Sequence, residues 1–391
     1  MSQDPVTVTT NTSWFSRLGG AIKGVFFGFI MIVVAIVMLS WNEGRSIQSI
    51  RSNNEGTRAV VSVSADRVDP ANQGKLVHIT APASAPGQRS DNQLGIRADG
   101  LLMTRSVEYF QWVQNSTSDT RTKLGGGQET VTTYTYATEW TSMPQDSSGF
   151  NQPTGHINPP VAVENAEYTA ETASLGAFTV DQNVLGQLSA DTPLSLSDEQ
   201  VQAISTALSR PATKQDSVVF VGTNAASPQV GDMKITYRVV PQNTTLSVIG
   251  AQYENTLRPY PTKAGSTLLM VRKGTASAEE MFQSAKAANK TMTWILRGVG
   301  TLLAIGGFAM ILGPLGVLGD VLPFIGSLVR MGTGLISFIL GVSLSLIVIA
   351  VSWIVFRPVV GIILLLIAAG IIGGIFYLRR KKSAMSTTAA A

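Results

Sequence analysis

Four long stretches of this chain contain no charged residue, and they constrain the fold more than any other feature. They cover residues 24–41, 298–319, 331–356 and 358–378. At 1.5 Å per helical residue, each reaches the length that crosses a hydrocarbon core of about 30 Å. Hydrophobic residues make up 45% of the 391 residues and charged residues 14%, which also favours a membrane protein. The sequence predicts four transmembrane helices, at 19–41, 291–313, 333–356 and 358–378.

The long segment between the first two spans, residues 42–290, is typical of a β-rich α+β domain. Hydrophobic and polar residues alternate with a period of two over 232–240 and 132–140, as in half-buried strands. Residues 101–114 are β-rich and aromatic, and we expect a long hairpin with 132–140. Two helices are predicted by the capping boxes at Ser197 and Ser277.

Lysine and arginine near the short loops predict the orientation of the chain. Arg17 and Lys23 precede the first span, and four basic residues at 379–382 follow the last. Cytoplasmic loops carry an excess of such residues, so both termini are expected in the cytoplasm and 42–290 outside. Residues 1–18 are predicted to be a mobile cytoplasmic tail, and 379–391 a basic cytoplasmic tail.

Two segments leave alternatives open. From Ala278 to Arg297 there is neither Gly nor Pro, so this helix either runs straight into the second span or stops near Asn289. Residues 314–332 are apolar but hold two prolines, and irregular backbone at membrane depth must be covered by protein or line a cavity. We therefore expect an interfacial or re-entrant segment there.

Glycines at every fourth position predict close helix packing. Gly20, Gly24 and Gly28 form a tandem GxxxG motif in the first span, and Gly370 and Gly374 form another in the fourth. Such glycines give a flat face on which a second helix approaches closely. Packing within the chain and self-association both use a face of this kind.

The sequence offers little for catalysis or cofactor binding. The two histidines, His78 and His156, lie in no metal-binding spacing, there is no cysteine, and no nucleotide-binding motif accompanies them. We predict no catalytic, cofactor-binding or metal-ligating residues. Residues 42–296 hold 20 basic and 23 acidic residues, so the basic balance comes from the membrane flanks and nucleic acid is not an expected partner.

A membrane-proximal interaction site is predicted where the first span leaves the membrane, at Asn42, Glu43, Gly44 and Arg45, together with Arg357. Charged residues there would fix the outer domain on the bilayer. The alternative is a helix C-cap at Gly44 with Arg45 extending toward the interface.

Several blocks of this sequence resemble the LUMA family of four-span membrane proteins, the transmembrane protein 43 family. They include 42–45, 72–79, 107–113, 134–140, 230–232, 262–265, 277–280 and Arg357-Pro358, in family order. The resemblance implies cytoplasmic termini, self-association and a role in organising membrane protein complexes at the endoplasmic reticulum and inner nuclear membrane. The lack of cysteine and the Ala/Gly-rich spans favour a bacterial member, with the domain in the periplasm of an inner-membrane protein.

The function that we expect is therefore a non-enzymatic membrane scaffold or sensor. Its predicted partners are membrane lipids, further copies of itself and other membrane proteins. The first alternative is an oligomeric ion or lipid channel, suggested by Ser337, Ser345 and Ser352 in the third span. The second is an envelope hydrolase that uses His78 or a pair of carboxylates such as Glu108 and Glu139.

Overall fold

A computed structural model describes residues 5–356 of the chain. The predicted fourth span, the glycines Gly370 and Gly374, Arg357 and the basic tail lie outside the described residues. The helices are α1 (Trp14–Ala59), α2 (Gln182–Leu185), α3 (Asp198–Leu208), α4 (Ala278–Gly319) and α5 (Pro323–Phe356). Three of them, α1, α4 and α5, are long and apolar enough to cross a membrane.

Nineteen strands make up the β structure of residues 5–356. They are β1 (Val6–Thr12), β2 (Val61–Ser62), β3 (Leu76–Ser84), β4 (Arg89–Asp91), β5 (Ile96–Ala98), β6 (Leu102–Thr122), β7 (Gln128–Thr141), β8 (Ala166–Thr169), β9 (Thr172–Leu175), β10 (Phe178–Asp181), β11 (Thr192–Pro193), β12 (Ala212–Gln215), β13 (Val218–Val221), β14 (Met233–Val240), β15 (Thr244–Tyr253), β16 (Thr256–Arg258), β17 (Tyr260–Pro261), β18 (Thr267–Leu268) and β19 (Met270–Lys273). The expectation of a β-rich domain is confirmed.

The larger sheet has the strand order β1-β7-β6-β14-β13-β12, with β8 beside β6 and β11 beside β14. The alternating residues that predicted β14 place Met233, Ile235 and Tyr237 in the core. Helix α3 covers this face through Val201 and Ile204. The predicted hairpin is present as β6 and β7, and β6 runs further than expected, to Thr122.

The smaller sheet closes on itself. Strand β15 pairs with β3 and β16, β16 pairs with β10, β10 with β9, and β9 with β3. Closing a sheet into a barrel removes exposed strand edges. Its interior holds large apolar side chains, among them Ile79, Phe178 and Val248.

Local sequence signals account for the helix ends in this domain. Ser197 and Gln200 make the predicted capping box, and Ser277 and Glu280 make the second through reciprocal bonds of 3.2 and 3.0 Å. Of the two alternatives for the helix after Ser277, the continuous one is observed, since α4 is unbroken from Ala278 to Gly319.

The N-terminal tail differs from expectation, and residues 314–332, expected to be interfacial or re-entrant, are mostly helical. Val6–Thr12 is not a mobile segment but forms β1 against β7, because β-branched residues fit an available strand edge. Residues 314–332 are helical except at the turn 320–322. Pro314 lies inside α4, and Pro323 stands at the start of α5, where the absent N–H costs nothing.

The chain divides into two compact units. Unit 1 takes the described residues up to Thr10 together with 52–120 and 130–285, and unit 2 takes 11–51, 121–129 and the described residues from Lys286 on. Unit 1 is the β-rich domain. Unit 2 is the bundle of α1 up to Arg51, α4 from Lys286 and α5, with the loop between β6 and β7.

Candidate functional site

The helices of unit 2 pack through small residues. The buried positions on α1 include Gly28, Ala35, Leu39, Asn42 and Ser46, and those on α4 include Asn289, Thr293, Gly300, Ala304 and Gly307. Both series have the spacing of three, four and seven residues that keeps one helix face toward a partner. This face becomes polar at Asn42 and Ser46, after the apolar part of α1, and at Asn289 and Thr293, before the apolar part of α4.

Helices α1 and α4 approach each other closely at Gly28 and Gly307. A Cβ on Gly28 would lie 2.6 Å from the carbonyl oxygen of Gly307, and one on Gly307 would lie 2.8 Å from that of Gly28. A Cβ on Gly20 would meet no described atom within 4 Å, and one on Gly24 only the end of Met310. The predicted GxxxG face is thus used within the chain at Gly28.

Glu43 links all three helices of the bundle. Arg297 of α4 donates to both of its carboxylate oxygens, from Nε at 2.6 Å and from Nη2 at 2.9 Å, and Trp353 of α5 donates from Nε1 at 2.8 Å. The Glu43 side chain is 2% exposed and that of Arg297 16%. A charge at such a depth persists where it is paired and hydrogen-bonded.

Aromatic rings enclose the cation of this pair. The guanidinium carbon of Arg297 lies 4.8 Å from the ring centre of Trp294 and 5.8 Å from that of Trp353. Indole rings attract a cation through their negative faces and are enriched at membrane interfaces. Trp353 therefore contacts both members of the ion pair.

The other predicted membrane-proximal residues join the same network. Arg45 donates to the side-chain oxygens of Asn289 and Asn42 at 3.2 and 3.3 Å, and Asn42 donates to the carbonyl oxygen of Thr293 at 3.1 Å. Thr293 donates to Ser46 Oγ at 2.9 Å. We call these residues, with the Glu43–Arg297 pair and Trp353, the Glu43 cluster.

Gly44 lies inside α1, so the alternative of a C-cap there is wrong. A Cβ at this position would meet the ring of Phe356 at 2.9 Å. The glycine thus allows the end of α5 to pack on α1. Arg357, the next residue, lies outside the described part of the chain.

A second cluster, which the sequence analysis did not predict, lies at the other end of unit 2. The carboxylate of Asp320, in the turn between α4 and α5, is fully buried and pairs with Arg17 of α1 and Arg330 of α5. Arg17 also donates to the carbonyl oxygen of Gly126. We call Arg17, Asp320 and Arg330 the Asp320 cluster.

The loop between β6 and β7 docks beside the Asp320 cluster. Gly125 donates to the carbonyl oxygen of Val321 at 3.1 Å, and Trp14 donates to that of Val317 at 2.8 Å. A Cβ on Gly126 would overlap with the Trp14 ring. Part of the segment 42–290, predicted to lie outside, therefore contacts the start of α1, which is predicted to be cytoplasmic.

The two clusters mark the two ends of the apolar part of α1. Arg17 and Glu43 are 26 residues apart, which corresponds to about 39 Å of helix at 1.5 Å per residue. A bilayer with its headgroup regions is about 40–45 Å thick. Two cross-helix ion networks with an apolar span between them define an integral membrane protein whose bundle is fastened at both ends.

The histidines of unit 1 serve as structural groups. His78 is buried, donates from Nε2 to the carbonyl oxygen of Ala276 at 2.9 Å and accepts from Ser62 at 3.2 Å. Burial lowers the pKa of His78. His156 is stacked on Tyr136 at 3.9 Å between ring centres. Among residues 5–356 there is no group of histidines and carboxylates suited to a metal ion.

A buried ion pair that the sequence analysis did not predict joins Arg105 of the larger sheet to Asp91. Arg105 bonds to Asp91, and Tyr237 donates to the same carboxylate oxygen at 2.6 Å. Burial alone would raise the pKa of Asp91, but hydrogen bonds from Tyr237 and Tyr168 and the charge of Arg105 hold it below its usual value. Glu108, proposed as one of a carboxylate pair with Glu139, lies opposite Lys234 in the sheet.

Comparison with known proteins identifies the family. The family model described as Transmembrane protein 43 matches residues 109–358. The chain is 30% identical to rat transmembrane protein 43 over 367 residues, which cover 90% of this chain and 89% of the relative. It is 29% identical to human transmembrane protein 43, again over 90% of this chain and 89% of the relative. It is 27% identical to the Drosophila melanogaster homolog over 86% of this chain and 89% of the homolog. No solved structure matches the chain.

The apolar helices and the family together define a multi-pass integral membrane protein. The chain belongs to the transmembrane protein 43 family. The resemblance to the LUMA family, which is this family, is confirmed.

Proposed function

We propose that this protein is a non-enzymatic membrane scaffold that organises membrane protein complexes and membrane structure through self-association. The observation that carries the proposal is the position of Glu43, whose carboxylate binds α4 through Arg297 and α5 through Trp353. A single buried side chain thus fastens three helices. A bundle fixed in this way is a rigid platform, which suits assembly better than a cycle of opening and closing.

In unit 1, His78 and Asp91 form hydrogen bonds within the fold, which supports a role without catalysis. His78 and Asp91 are engaged in bonds that join strands and loops of the fold. Two clefts of about 720 and 730 Å³ are open and polar, and in the described part of the chain no histidine lines them. A nucleophile with an adjacent base is the arrangement that a hydrolase would need there.

A channel is the alternative that the third span suggested. Ser337, Ser345 and Ser352 are buried in the structure. The hydroxyls of Ser337 and Ser345 donate to carbonyl oxygens one turn earlier in α5, at 2.7 and 2.8 Å. Gly341 between them packs on Ile305 of α4. This pattern supports helix packing over a polar path.

The proposed location is the bacterial inner membrane with a periplasmic domain, or the endoplasmic reticulum or inner nuclear membrane in a eukaryotic source. Both termini are proposed to be cytoplasmic, on the basis of Arg17 and Lys23 at the start of the chain and the basic residues at its end. The proposed partners are membrane lipids, further copies of the chain and other membrane proteins.

Two measurements on reconstituted protein test the proposal. Two differently tagged copies are produced together, solubilised, and purified through one tag, and a scaffold predicts that the second tag co-purifies. Ion and lipid flux is then measured in proteoliposomes, and a scaffold predicts rates equal to those of empty vesicles. Separate copies would overturn the self-association, and a flux that rises with the amount of protein would favour the channel.

A further inference from the structure

The strands β1, β7 and β6 form a ribbon with an open edge on each side. In the described residues, β7 lies between the other two, and β14 covers β6 only from Leu102 to Tyr109. Beyond Tyr109, β7 is the one strand that pairs with β6 among the described residues, and the opposite edge of β6 is open. Side-chain bonds between Ser118 and Thr132 and between Thr120 and Thr130 show that β6 and β7 continue as a pair toward their loop.

The backbone direction along this edge follows from its first residues. The N–H and C=O of Phe110 both bond to the β14 side, to Asp232 and Gly231. Backbone groups alternate in direction along a strand, so Trp112 faces the same side, where the side chain of Asn158 binds both its N–H and its C=O. The same alternation directs the N–H and C=O of Ser116, Ser118 and Thr120 to the open edge.

This part of β6 lacks the usual protection of an edge strand. Proteins guard exposed edges with charged side chains, with proline or with a covering side chain. Asn158 covers the edge at Trp112, but residues 115–118 are exposed and contain neither proline nor a charged residue. A row of unguarded N–H and C=O groups is a template for another strand.

Strand β1 forms the other open edge of the ribbon. It lies at the end of the sheet order, most of its residues are exposed, and between Val6 and Thr10 it consists of valine and threonine alone. Its last residue, Thr12, lies against Gly127, which precedes β7. β1 therefore runs antiparallel to β7 and parallel to β6.

We propose that the open edge of β6 pairs with β1 of a second copy of this chain. This inference rests on the proposed self-association and gives it a surface. Joining the β6 edge of one ribbon to the β1 edge of the next pairs both open edges. A twofold contact between two β6 strands would leave β1 unpaired. Contacts of this head-to-tail kind close into rings when copies are related by rotation.

Cysteine cross-linking tests the pairing, because the chain has no cysteine of its own. Copies with Thr7→Cys or Thr9→Cys are produced together with differently tagged copies that carry Ser116→Cys or Ser118→Cys, and mild oxidation follows. Within one chain β1 and β6 are separated by β7, so their Cα atoms are about 9–10 Å apart, beyond the reach of a disulfide. The variant Ser118→Cys/Thr132→Cys is the positive control, since these two hydroxyls lie 2.9 Å apart.

A covalent dimer between the β1 and β6 variants is the expected result. A dimer between two Ser118→Cys copies, with none between β1 and β6, would overturn the proposal in favour of a twofold contact. An oligomer in light scattering without any β1–β6 cross-link would overturn the pairing but leave the proposed function standing. A monomer would overturn both.

A proline variant gives an independent test. Because the N–H of Ser116 points to the open edge, Ser116→Pro removes no hydrogen bond within the chain. The proposal predicts a smaller assembly with an unchanged melting temperature, and Ser116→Ala is the matched control with unchanged mass. An unchanged assembly in the folded proline variant would overturn the proposal.

Discussion

The carboxylate of Glu43 accepts two hydrogen bonds from the guanidinium group of Arg297, a residue 254 positions further along the chain. The pair joins the end of the apolar part of α1 to α4, and the indole N–H of Trp353 completes it from α5. A contact between such distant positions makes the bundle depend on the correct packing of all three helices.

Loss of either charge should destabilise the bundle strongly. Glu43→Gln or Arg297→Gln leaves a buried charge without its partner, which costs about 3–5 kcal/mol of the free energy of unfolding. Thermal melting in lipid nanodiscs measures the effect, and Lys290→Gln, at an exposed position of α4, is the control with a small effect. Equal melting of Arg297→Gln and the control would show that the pair does not hold the helices.

The glycines of the first span should differ in their tolerance to substitution. Gly28→Leu places a side chain where the backbone of Gly307 lies and should cost about 1–3 kcal/mol or more. Gly20→Leu meets open space among the described residues and should melt like the unmodified protein. If the two variants melt alike, the close approach of α1 and α4 at Gly28 is contradicted.

The stability of the protein should depend on the protonation of His78. Its pKa is lowered by burial, so the unfolded chain binds more protons than the folded chain between the lowered value and the ordinary value of 6.5. Stability therefore falls as the pH drops through 6.5 toward the lowered pKa, and it is fully present above 6.5.

This pH dependence is measured against a variant that keeps a donor for Ala276. The difference in melting temperature between the unmodified protein and His78→Gln should shrink as the pH falls from about 8 to about 5. A difference that is constant over this range would show that the protonation of His78 is not coupled to folding.

The docking of the β6–β7 loop gives a prediction about the sides of the membrane. Leu124, which is 83% exposed, and Ser327 of α5 belong to the end of unit 2 that holds the Asp320 cluster, whereas Lys290 belongs to the other end. In the cysteine-free chain, Leu124→Cys and Ser327→Cys should react with an impermeant maleimide from one side and Lys290→Cys from the other. Reaction of Leu124→Cys together with Lys290→Cys would instead support the outward placement of all of residues 42–290.

Local patterns predicted much of the fold. The charge-free windows indicated α1, α4 and α5, the period of two indicated β14 and the hairpin, and Ser197 and Ser277 indicated helix starts. These signals are carried by neighbouring residues. The mobile tail was mispredicted because the strand at Val6–Thr12 forms only when β7 supplies an edge.

The candidate site was predicted in part. Asn42, Glu43 and Arg45 were singled out, but their partners on α4 and α5 were not. Nothing in the sequence around Arg297 indicates that it pairs with Glu43. Asp320 was not predicted as part of a site, because its segment was interpreted through its two prolines. The contacts of its carboxylate with Arg17 and Arg330 form only when the helices pack.

The mass of the protein in lipid nanodiscs, measured by light scattering, tests the central claim most directly. A self-associating scaffold predicts a discrete assembly of several copies at all protein concentrations used, with the same mass for the Lys290→Gln control. A mass equal to one 41.5 kDa chain in folded protein would contradict the account.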